Sequence, residues 1–564
     1  MWSSIQYDPK KDQVDQGVSL VDFVTIKRSW ERLYCQKEVT IYSRKHLTRR
    51  SQWTITMNIT SKMITFSFYA AALALFLSAC SDSGDSLSPA DPQKARGKAA
   101  AASVTIASGG NGIPVVFGHA AFNLGDVGYE QLEFFFEGTA DAYTPVDPIL
   151  SDGKWSVEPF SPAFYKTRMV VNRPIDPSKF NGSVVVEWFN VSGGVDASPD
   201  WQHMHVELIR EGYSWVGVSA QAVGLGQLTC PMAGPGCRAA GDPVRYESLL
   251  HPGDSYSYDI FSQAGQAVRD QFSLLLGGLI PKRVMAAGES QSAGRLITYI
   301  NAAHPLADVY DAFVVHSRSG AGSPLTQSPL ETVAAPSPSY IRDDLTDPVM
   351  VFANENDQGS VVSRQDDGPL FRLWEVAGTA HFDQYGLMQA QDDTGEPETV
   401  AEWFESMRNP TSDPSDGFSC ATPINTGPAT FVMRALIRSL NNWLVDGTVP
   451  SNASRLETVS ISPLVYKEDE FGNVLGGIRT PAVDAPVARI NGLGQLSGGT
   501  GVFCFLFGIT VPFTEAQLLE TYQTHENFRS AWNDATQSAL QSGFILEEDA
   551  KDIQTAGDQS NILK

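Results

Sequence analysis

The chain has 564 residues, of which 42% are apolar and 18% are charged, and its formal net charge is −24. That length and apolar content allow a sizeable buried core and exclude a wholly disordered chain. The negative charge argues against a nucleic-acid-binding protein, because phosphate binding needs a basic face.

The N-terminal segment is typical of an export signal. An apolar run at 63–77 follows Lys62; it is short for a membrane-spanning helix and suits a signal-peptide core. It ends in Leu77-Ser78-Ala79-Cys80, which resembles the lipobox of bacterial lipoproteins, whose cysteine becomes the lipidated first residue. We therefore predict a lipoprotein signal peptide at 57–79 and a membrane anchor at Cys80, in the periplasm or at the cell surface. A plain cleaved signal or a transmembrane anchor is the alternative.

The segments on either side of this signal are predicted to lie outside the folded domain. Residues 1–56 precede the predicted signal and contain a basic stretch without pattern, so we interpret them as a non-native extension, with Met57 or Met63 as the natural start. Residues 80–103 are polar and small, which suits a flexible tether that holds a globular domain off a membrane.

Four cysteines remain in the predicted mature chain beyond Cys80, and an even number in an exported protein suggests disulfides. Cys230 and Cys237 enclose a short loop of turn-forming residues, which predicts one bridge. Cys420 and Cys504 would form the other by exclusion. Free buried thiols are the alternative. No close Cys/His pairs occur in two sets, so no metal site is predicted.

From residue 104 onward, apolar strand-like runs alternate with amphipathic helix-like runs. Strands are predicted at 129–136, 167–171, 182–189, 213–219, 283–287, 312–315, 348–353 and 370–376, the first two as an edge hairpin. Helices are predicted at 200–210, 258–276 and 431–444. This order predicts an α/β protein with a mostly parallel sheet and helices on both faces.

Long segments rich in Gly, Pro, Ser and Asp interrupt this main domain, which we place at 104–450. They lie at 222–250, 318–347 and 384–428, and loops of such length commonly form lids or pocket walls. The remaining residues, 451–564, contain a predicted hairpin around 471–473 and a helix at 518–539. We interpret them as a C-terminal appendage packed on the main domain.

The segment Gly288-Glu289-Ser290-Gln291-Ser292-Ala293-Gly294 lies between a predicted strand and an amphipathic run. A strand, a tight turn with serine at its tip and a helix are typical of a nucleophile elbow, which holds the serine oxygen near the helix N-terminus. Ser290 is therefore the predicted nucleophile. Ser292 occupies the position where the usual G-x-S-x-G pattern has its last glycine. An ordinary strand-to-helix turn is the alternative.

A serine nucleophile needs a base within hydrogen-bond reach and an acid that orients the base. On an α/β-hydrolase sheet these follow in the chain order serine, acid, histidine, each after a strand. Glu355 and Asp357 follow the strand at 348–353, and His381 follows the next strand. We predict His381 as the base and Asp357 as the acid, with Glu355 as the alternative acid.

An oxyanion hole needs two backbone N–H donors. The residue after the nucleophile, Gln291, is predicted to supply one. The second is expected from the loop after the strand at 182–189, where paired glycines let the backbone turn inward, and we predict Ser192 and Gly193 there. A simple glycine turn before a helix is the alternative.

Several segments together resemble the large bacterial and fungal group of alpha/beta hydrolase domain-containing proteins. They are VEWFNVSGG at 186–194, WVGVSAQ at 215–221, GESQSAGRL at 288–296, RLWEVAGTAH at 372–381 and GNVLGGIR at 472–479. The resemblance runs from about residue 104 to about residue 555, and elbows of that group end in serine. It implies an α/β-hydrolase fold and a serine triad, but no particular substrate.

These patterns predict a secreted, lipid-anchored serine hydrolase that acts on small or oligomeric carboxylic esters through an acyl-enzyme. No metal or organic cofactor and no nucleic-acid partner is implied. The alternatives are an amidase or peptidase of the same fold, and a non-catalytic surface-binding lipoprotein on a hydrolase scaffold.

Overall fold

The computed structural model of the protein describes residues 97–234, 239–414, 418–495 and 498–564. Contacts divide the chain into Met1–Pro89 and Ala90–Lys564, and the described residues all belong to the second unit. The predicted signal peptide, the lipidation site Cys80 and most of the tether lie outside the described residues, as does Cys237.

A nine-stranded sheet forms the centre of the second unit. Its strands are β1 (Ser103–Ile106), β2 (Tyr129–Pro145), β3 (Val157–Pro174), β4 (Ser183–Trp188), β5 (Ser214–Val218), β6 (Arg283–Glu289), β7 (Ala312–His316), β8 (Val349–Ala353) and β9 (Phe371–Glu375). Their order in the sheet is β1-β2-β3-β5-β4-β6-β7-β8-β9. The pairs from β1 to β5 are antiparallel, and all pairs from β5 to β9 are parallel. The predicted, mostly parallel sheet is thereby confirmed.

Helices cover both faces of this sheet. Those before the C-terminal segment are α1 (Pro199–Arg210), α2 (Ala222–Leu228), α3 (Pro243–Tyr246), α4 (Ser257–Asp270), α5 (Phe272–Leu275), α6 (Gln291–Thr298), α7 (His304–Ala307), α8 (Gln358–Val362), α9 (Pro397–Arg408) and α10 (Ala429–Asp446). A π-helical turn joins α6 to α7. The helix predicted at 258–276 is two helices, because the chain leaves helical geometry at Gln271.

The alternation of side chains along β4 shows why both faces are covered. Val184 and Val186 lie in a core shared with α4 and α6. Val185 points the other way, into a core shared with α1 and α10. Because successive residues of a strand face opposite sides, a parallel strand buried on both faces needs an unbroken apolar run. That run is what makes this strand recognisable in the sequence.

The edge hairpin predicted from 129–136 and 167–171 is present but longer, as β2 and β3. It carries a buried cluster of charges next to the parallel part of the sheet. Arg168 donates from Nη1 to Glu133 and from Nη2 to Asp196, both over 2.8 Å, and all three side chains are buried. Asp196 lies just past the predicted oxyanion loop, so the hairpin anchors the far end of that loop.

The predicted insertions differ in regular structure. Residues 222–250 contain α2 and α3, and 384–428 contain α9, whereas 318–347 contain neither helix nor strand.

The C-terminal segment forms a third core beside the sheet. Its elements are β10 (Thr458–Ile461), β11 (Leu464–Tyr466), α11 (Pro481–Asp484), β12 (Ala488–Asn491), β13 (Ile509–Pro512), α12 (Glu515–Tyr522), α13 (His525–Gln541) and α14 (Glu547–Gln559). Trp532 of α13 packs with Trp403 of α9 and donates from Nε1 to a carbonyl of α14 over 2.8 Å. The single helix predicted at 518–539 is wrong, because Gln523 has φ +61° and separates α12 from α13. The hairpin predicted around 471–473 is present as a turn between Glu468 and Val474, which form a single antiparallel bridge.

The cysteines of the described residues bear on the predicted export. Cys420 and Cys504 form a disulfide with Cα atoms 5.5 Å apart, which confirms that predicted bridge. Cys230 is also disulfide-bonded, and its predicted partner, Cys237, lies outside the described residues. Within the described ranges, we find no helix that has both the length and the apolar character needed to cross a bilayer.

Candidate active site

Ser290 lies at the tip of a tight turn between β6 and α6. Its backbone has φ +56° and ψ −112°, a conformation that L-residues seldom adopt. The N–H of Ser290 donates to the carbonyl of His316 over 2.9 Å, and its carbonyl accepts from the N–H of Gly294 over 3.0 Å. These bonds to the neighbouring strand and to the first turn of the helix hold the strained residue in place.

The small residues of the elbow have separate structural reasons. A Cβ atom at Gly288 would lie 3.0 Å from the carbonyl oxygen of Ser292, so strand and helix could not pass as closely. The Ser292 hydroxyl donates to the carbonyl of Glu289 over 2.7 Å and accepts from the N–H of Glu289 over 3.0 Å. The serine that replaces the usual glycine therefore stabilises the turn through two hydrogen bonds of its hydroxyl.

The structure brings Ser290, His381 and Asp357 into one chain of contacts. Ser290 Oγ lies 2.7 Å from His381 Nε2, and His381 Nδ1 lies 2.6 Å from Asp357 Oδ1. The second oxygen, Oδ2 of Asp357, accepts from the N–H of Asn354 over 2.8 Å. The N–H of His381 donates to Oδ1 of Asn356 over 2.7 Å, which ties the histidine loop to the acid loop. With a proton on Nδ1, Nε2 can accept the Ser290 hydroxyl.

Glu355, the alternative acid, points into a different environment. Its Oε1 accepts from the N–H of Gly378 over 2.5 Å, and its Oε2 accepts from the N–H of Gly492 over 2.6 Å. Burial raises the pKa of Glu355 to about 8, although these two bonds act in the opposite direction. Asp357, and not Glu355, is thus the acid that contacts His381.

A second carboxylate also faces His381, and sequence reasoning assigned it no role. Glu289 Oε1 lies 3.2 Å from His381 Nε2, on the other side of the ring from Asp357. Glu289 is buried, and this burial raises its pKa to about 8. Its position directly before the nucleophile was the only signal available, because spacing along the chain does not reveal which way the side chain turns.

The charge on His381 reflects these two carboxylates. Burial lowers the pKa of His381, but the charges of Asp357 and Glu289 outweigh it and raise the pKa to about 9. The imidazole therefore has carboxylates on both nitrogens, which favours its protonated form.

The predicted oxyanion loop follows β4 and lies beside the elbow. Gln291 is the first residue of α6, where helix geometry leaves the N–H without a partner inside the helix. The N–H of Ser192 instead donates to Oδ1 of Asn190 over 2.8 Å, so it is used inside the loop. We therefore keep Gln291 and Gly193 as predicted donors. Asn190 also bonds Glu289, which links this loop to the elbow.

Two further histidines are buried near the triad, and neither was predicted to act. His316, at the end of β7, contacts Oδ1 of Asp200 through Nδ1 over 2.9 Å. His203 of α1 packs edge-on against His316, with Nε2 3.7 Å from Oδ1 of Asp383. Among the residues that the structure describes, no group of three His, Cys, Asp or Glu side chains is arranged to hold a metal ion.

The sheet order and the serine turn after the central parallel strand define the α/β-hydrolase class. A family model described as an alpha/beta hydrolase domain matches residues 99–555. Because this match covers most of the chain, the protein belongs to that alpha/beta hydrolase family, and hydrolysis is the general class of reaction supported.

Solved structures with low sequence identity include other hydrolases. A putative dienelactone hydrolase from Klebsiella pneumoniae is 16% identical, covering 39% of this chain and 72% of that chain, with a TM-score of 0.20. Fungal esterases from Rhizomucor miehei are 12% identical, covering 42% and 74%, with a TM-score of 0.21. An esterase from Pyrococcus furiosus is 11% identical, covering 46% and 86%, with a TM-score of 0.23. Comparison with curated proteins gave no significant match.

Proposed function

We propose that this protein is a serine hydrolase that cleaves carboxylic esters. The observation that supports this most is the unbroken contact from Asp357 through His381 to Ser290, at 2.6 and 2.7 Å. Such a constellation activates an alcohol that is otherwise a poor nucleophile. The choice of ester over amide is an analogy with the commonest use of this fold.

In the proposed acylation, Ser290 Oγ forms a bond to the substrate carbonyl carbon while its proton moves to Nε2 of His381. Asp357 holds the Nδ1 proton and stabilises the imidazolium. The N–H groups of Gln291 and Gly193 donate hydrogen bonds to the oxyanion. The C–O bond to the leaving group then breaks, and the Nε2 proton passes to the departing alkoxide. Water then gives a proton to the same nitrogen and attacks the acyl carbon. The bond between this carbon and Ser290 Oγ breaks, and the proton on Nε2 returns to Oγ.

The test combines covalent labelling with turnover. A fluorophosphonate probe should label the wild-type protein at Ser290, and Ser290→Ala should lose both the label and p-nitrophenyl ester hydrolysis, by at least about 10⁴-fold. Label at another residue, or esterase activity that survives Ser290→Ala, would refute the proposal. Faster cleavage of matched p-nitroanilides than of esters would favour an amidase or peptidase, and absence of any turnover would favour a binding protein.

We also propose that the protein is exported and anchored through a lipid on Cys80. The disulfide between Cys420 and Cys504 is compatible with an oxidising compartment. In a bacterial host, wild-type protein should incorporate labelled palmitate and partition into Triton X-114, whereas Cys80→Ser should do neither. Equal partitioning of the two proteins would contradict the anchor.

A further inference from the structure

Glu289 has its two carboxylate oxygens in different surroundings. Oε2 accepts from Nδ2 of Asn190 over 2.8 Å, and the same Nδ2 donates to the carbonyl of Glu289 over 3.0 Å. Oε1 lies 3.2 Å from Nε2 of His381. The amide of Asn190 thus holds one oxygen and turns the other towards the nitrogen that exchanges the proton with Ser290.

A purely structural role does not account for a carboxylate at this position. Glu289 is 4% exposed, and within the described ranges its one ionic contact is the histidine. Burying a carboxylate without a lysine or arginine is costly, and a glutamine of the same shape would avoid that cost. A negative charge here has an effect chiefly when Nε2 carries a proton.

We propose that Glu289 is a second acid for His381, which stabilises the imidazolium at Nε2 while Asp357 stabilises it at Nδ1. This inference rests on the proposed function. As the Oγ–carbon bond forms, the Ser290 proton moves to Nε2, and the new N–H lies within reach of Glu289 Oε1. When the leaving-group C–O bond breaks, this proton passes to the departing oxygen. Burial raises the pKa of Glu289 to about 8, so the carboxylate keeps its charge through these steps at alkaline pH.

The same arrangement determines how activity varies with pH. The charges of Asp357 and Glu289 raise the pKa of His381, and a protonated Nε2 cannot accept the Ser290 proton. Asp200 and His203, both on α1, also act electrostatically on Glu289, with opposite signs. Removing the charge of Glu289 lowers the pKa of His381, so the base stays active at lower pH while the imidazolium loses a partner.

The experiment measures kcat/KM against pH on a p-nitrophenyl ester for wild type and Glu289→Gln. The rising limb should move to lower pH by about one unit, the lower end of the effect of an opposite charge within 4–6 Å. The plateau should fall by about tenfold, which is what one pKa unit of lost stabilisation represents. The matched control is Glu355→Gln, which also removes a buried carboxylate but one whose oxygens bond the backbone of Gly378 and Gly492 and not the imidazole of His381. The rising limb of this control should stay in place.

A second measurement does not depend on turnover. Nitrogen-15 NMR titration of His381 should give a lower pKa in Glu289→Gln than in wild type. If that variant does not fold, Asn190→Ala serves instead: removing the amide donor favours neutral Glu289, so the pKa of His381 should again fall. An unchanged limb and an unchanged His381 titration in a folded variant would overturn the inference. Loss of the proposed function would appear separately, as ester hydrolysis that does not depend on Ser290.

Discussion

Asp357 and Glu355 stand two residues apart on one loop but serve different neighbours. Asp357 accepts a hydrogen bond from Nδ1 of His381, whereas Glu355 accepts hydrogen bonds from the backbone N–H groups of Gly378 and Gly492. Each carboxylate therefore holds a different part of the site: the first orients the imidazole that we propose as the base, and the second joins the histidine loop to the C-terminal segment.

This difference predicts opposite effects of two amide substitutions. Asp357→Asn should lower kcat by about 10⁴-fold, because the amide cannot fix the histidine tautomer or stabilise the imidazolium. Glu355→Gln should keep kcat within about tenfold of wild type but melt at a lower temperature, because an amide N–H would face a backbone N–H. Steady-state kinetics and thermal melting of both variants test this, and the reverse order of activity would contradict the assignment.

The electrostatics of His381 predict a site that works best under alkaline conditions. Since the pKa of His381 is raised to about 9, its Nε2 is protonated at neutral pH, and kcat/KM should rise through that value as the proton is lost. A profile measured from about pH 6 to about pH 10 tests this. A rising limb near the ordinary histidine pKa would show that the two carboxylates do not act together in solution.

At the scale of elements, the elbow depends on how closely β6 and α6 approach each other. Gly288 allows this approach, and the hydroxyl of Ser292 bonds both the N–H and the carbonyl of Glu289. The orientation of Ser290 is therefore a property of the strand–helix junction.

Gly288→Ala should disturb this junction. Its Cβ would lie 3.0 and 3.1 Å from the carbonyl oxygen and carbon of Ser292, so the helix must shift by a few tenths of an ångström. A displacement of the nucleophile on this scale should lower kcat by about tenfold to a hundredfold. The control is Gly226→Ala in α2, where a Cβ meets nothing within 4 Å and which should retain activity. Equal kcat values for the two variants would contradict the steric argument.

At the scale of the whole molecule, the C-terminal segment supports the loops that carry Asp357 and His381. Glu355 accepts from Gly492, and Nδ2 of Asn356 donates to the carbonyl of Leu506 over 2.8 Å. The N–H of Ile478 donates over 2.7 Å to the carbonyl of Glu375, the last residue of the edge strand β9. The segment interpreted from sequence as an appendage therefore forms part of the wall behind the acid and histidine loops.

The disulfide between Cys420 and Cys504 closes a loop with a sequence separation of 84 residues, close to these contacts. Replacing both cysteines with serine should lower the free energy of unfolding by about 4 kcal/mol, mainly because the unfolded chain gains freedom. Denaturant unfolding of the double variant under oxidising conditions measures this loss, whereas reduction of wild type would also open the bridge at Cys230 and should destabilise the protein further. An unchanged midpoint would mean that the bridge contributes little.

Local patterns in the sequence determined much of the fold and part of the candidate site. Strands buried on both faces appear as short apolar runs, and the turn around Ser290 has a recognisable composition, so the parallel sheet and the elbow could be predicted. The interruptions of the predicted helices at Gln271 and Gln523 could not be predicted, because neither residue is a glycine or proline that marks a helix end. Contacts between residues distant in sequence could not be predicted either. Asp357 and His381 are 24 residues apart in the chain, and Asn190 and Glu289, whose orientation Asn190 fixes, are 99 residues apart.

The sequence by itself thus determined the α/β class, because this follows from the periodicity of strands and helices. It also predicted a serine, an acid and a histidine in the chain order that is typical of an α/β-hydrolase sheet. Only the tertiary structure decided which carboxylate contacts Nδ1 of His381, that Glu289 faces Nε2, and that the C-terminal segment supports the loops of Asp357 and His381. Each of these depends on the direction of a side chain in packed space, which the identity of the residue and its spacing along the chain do not specify.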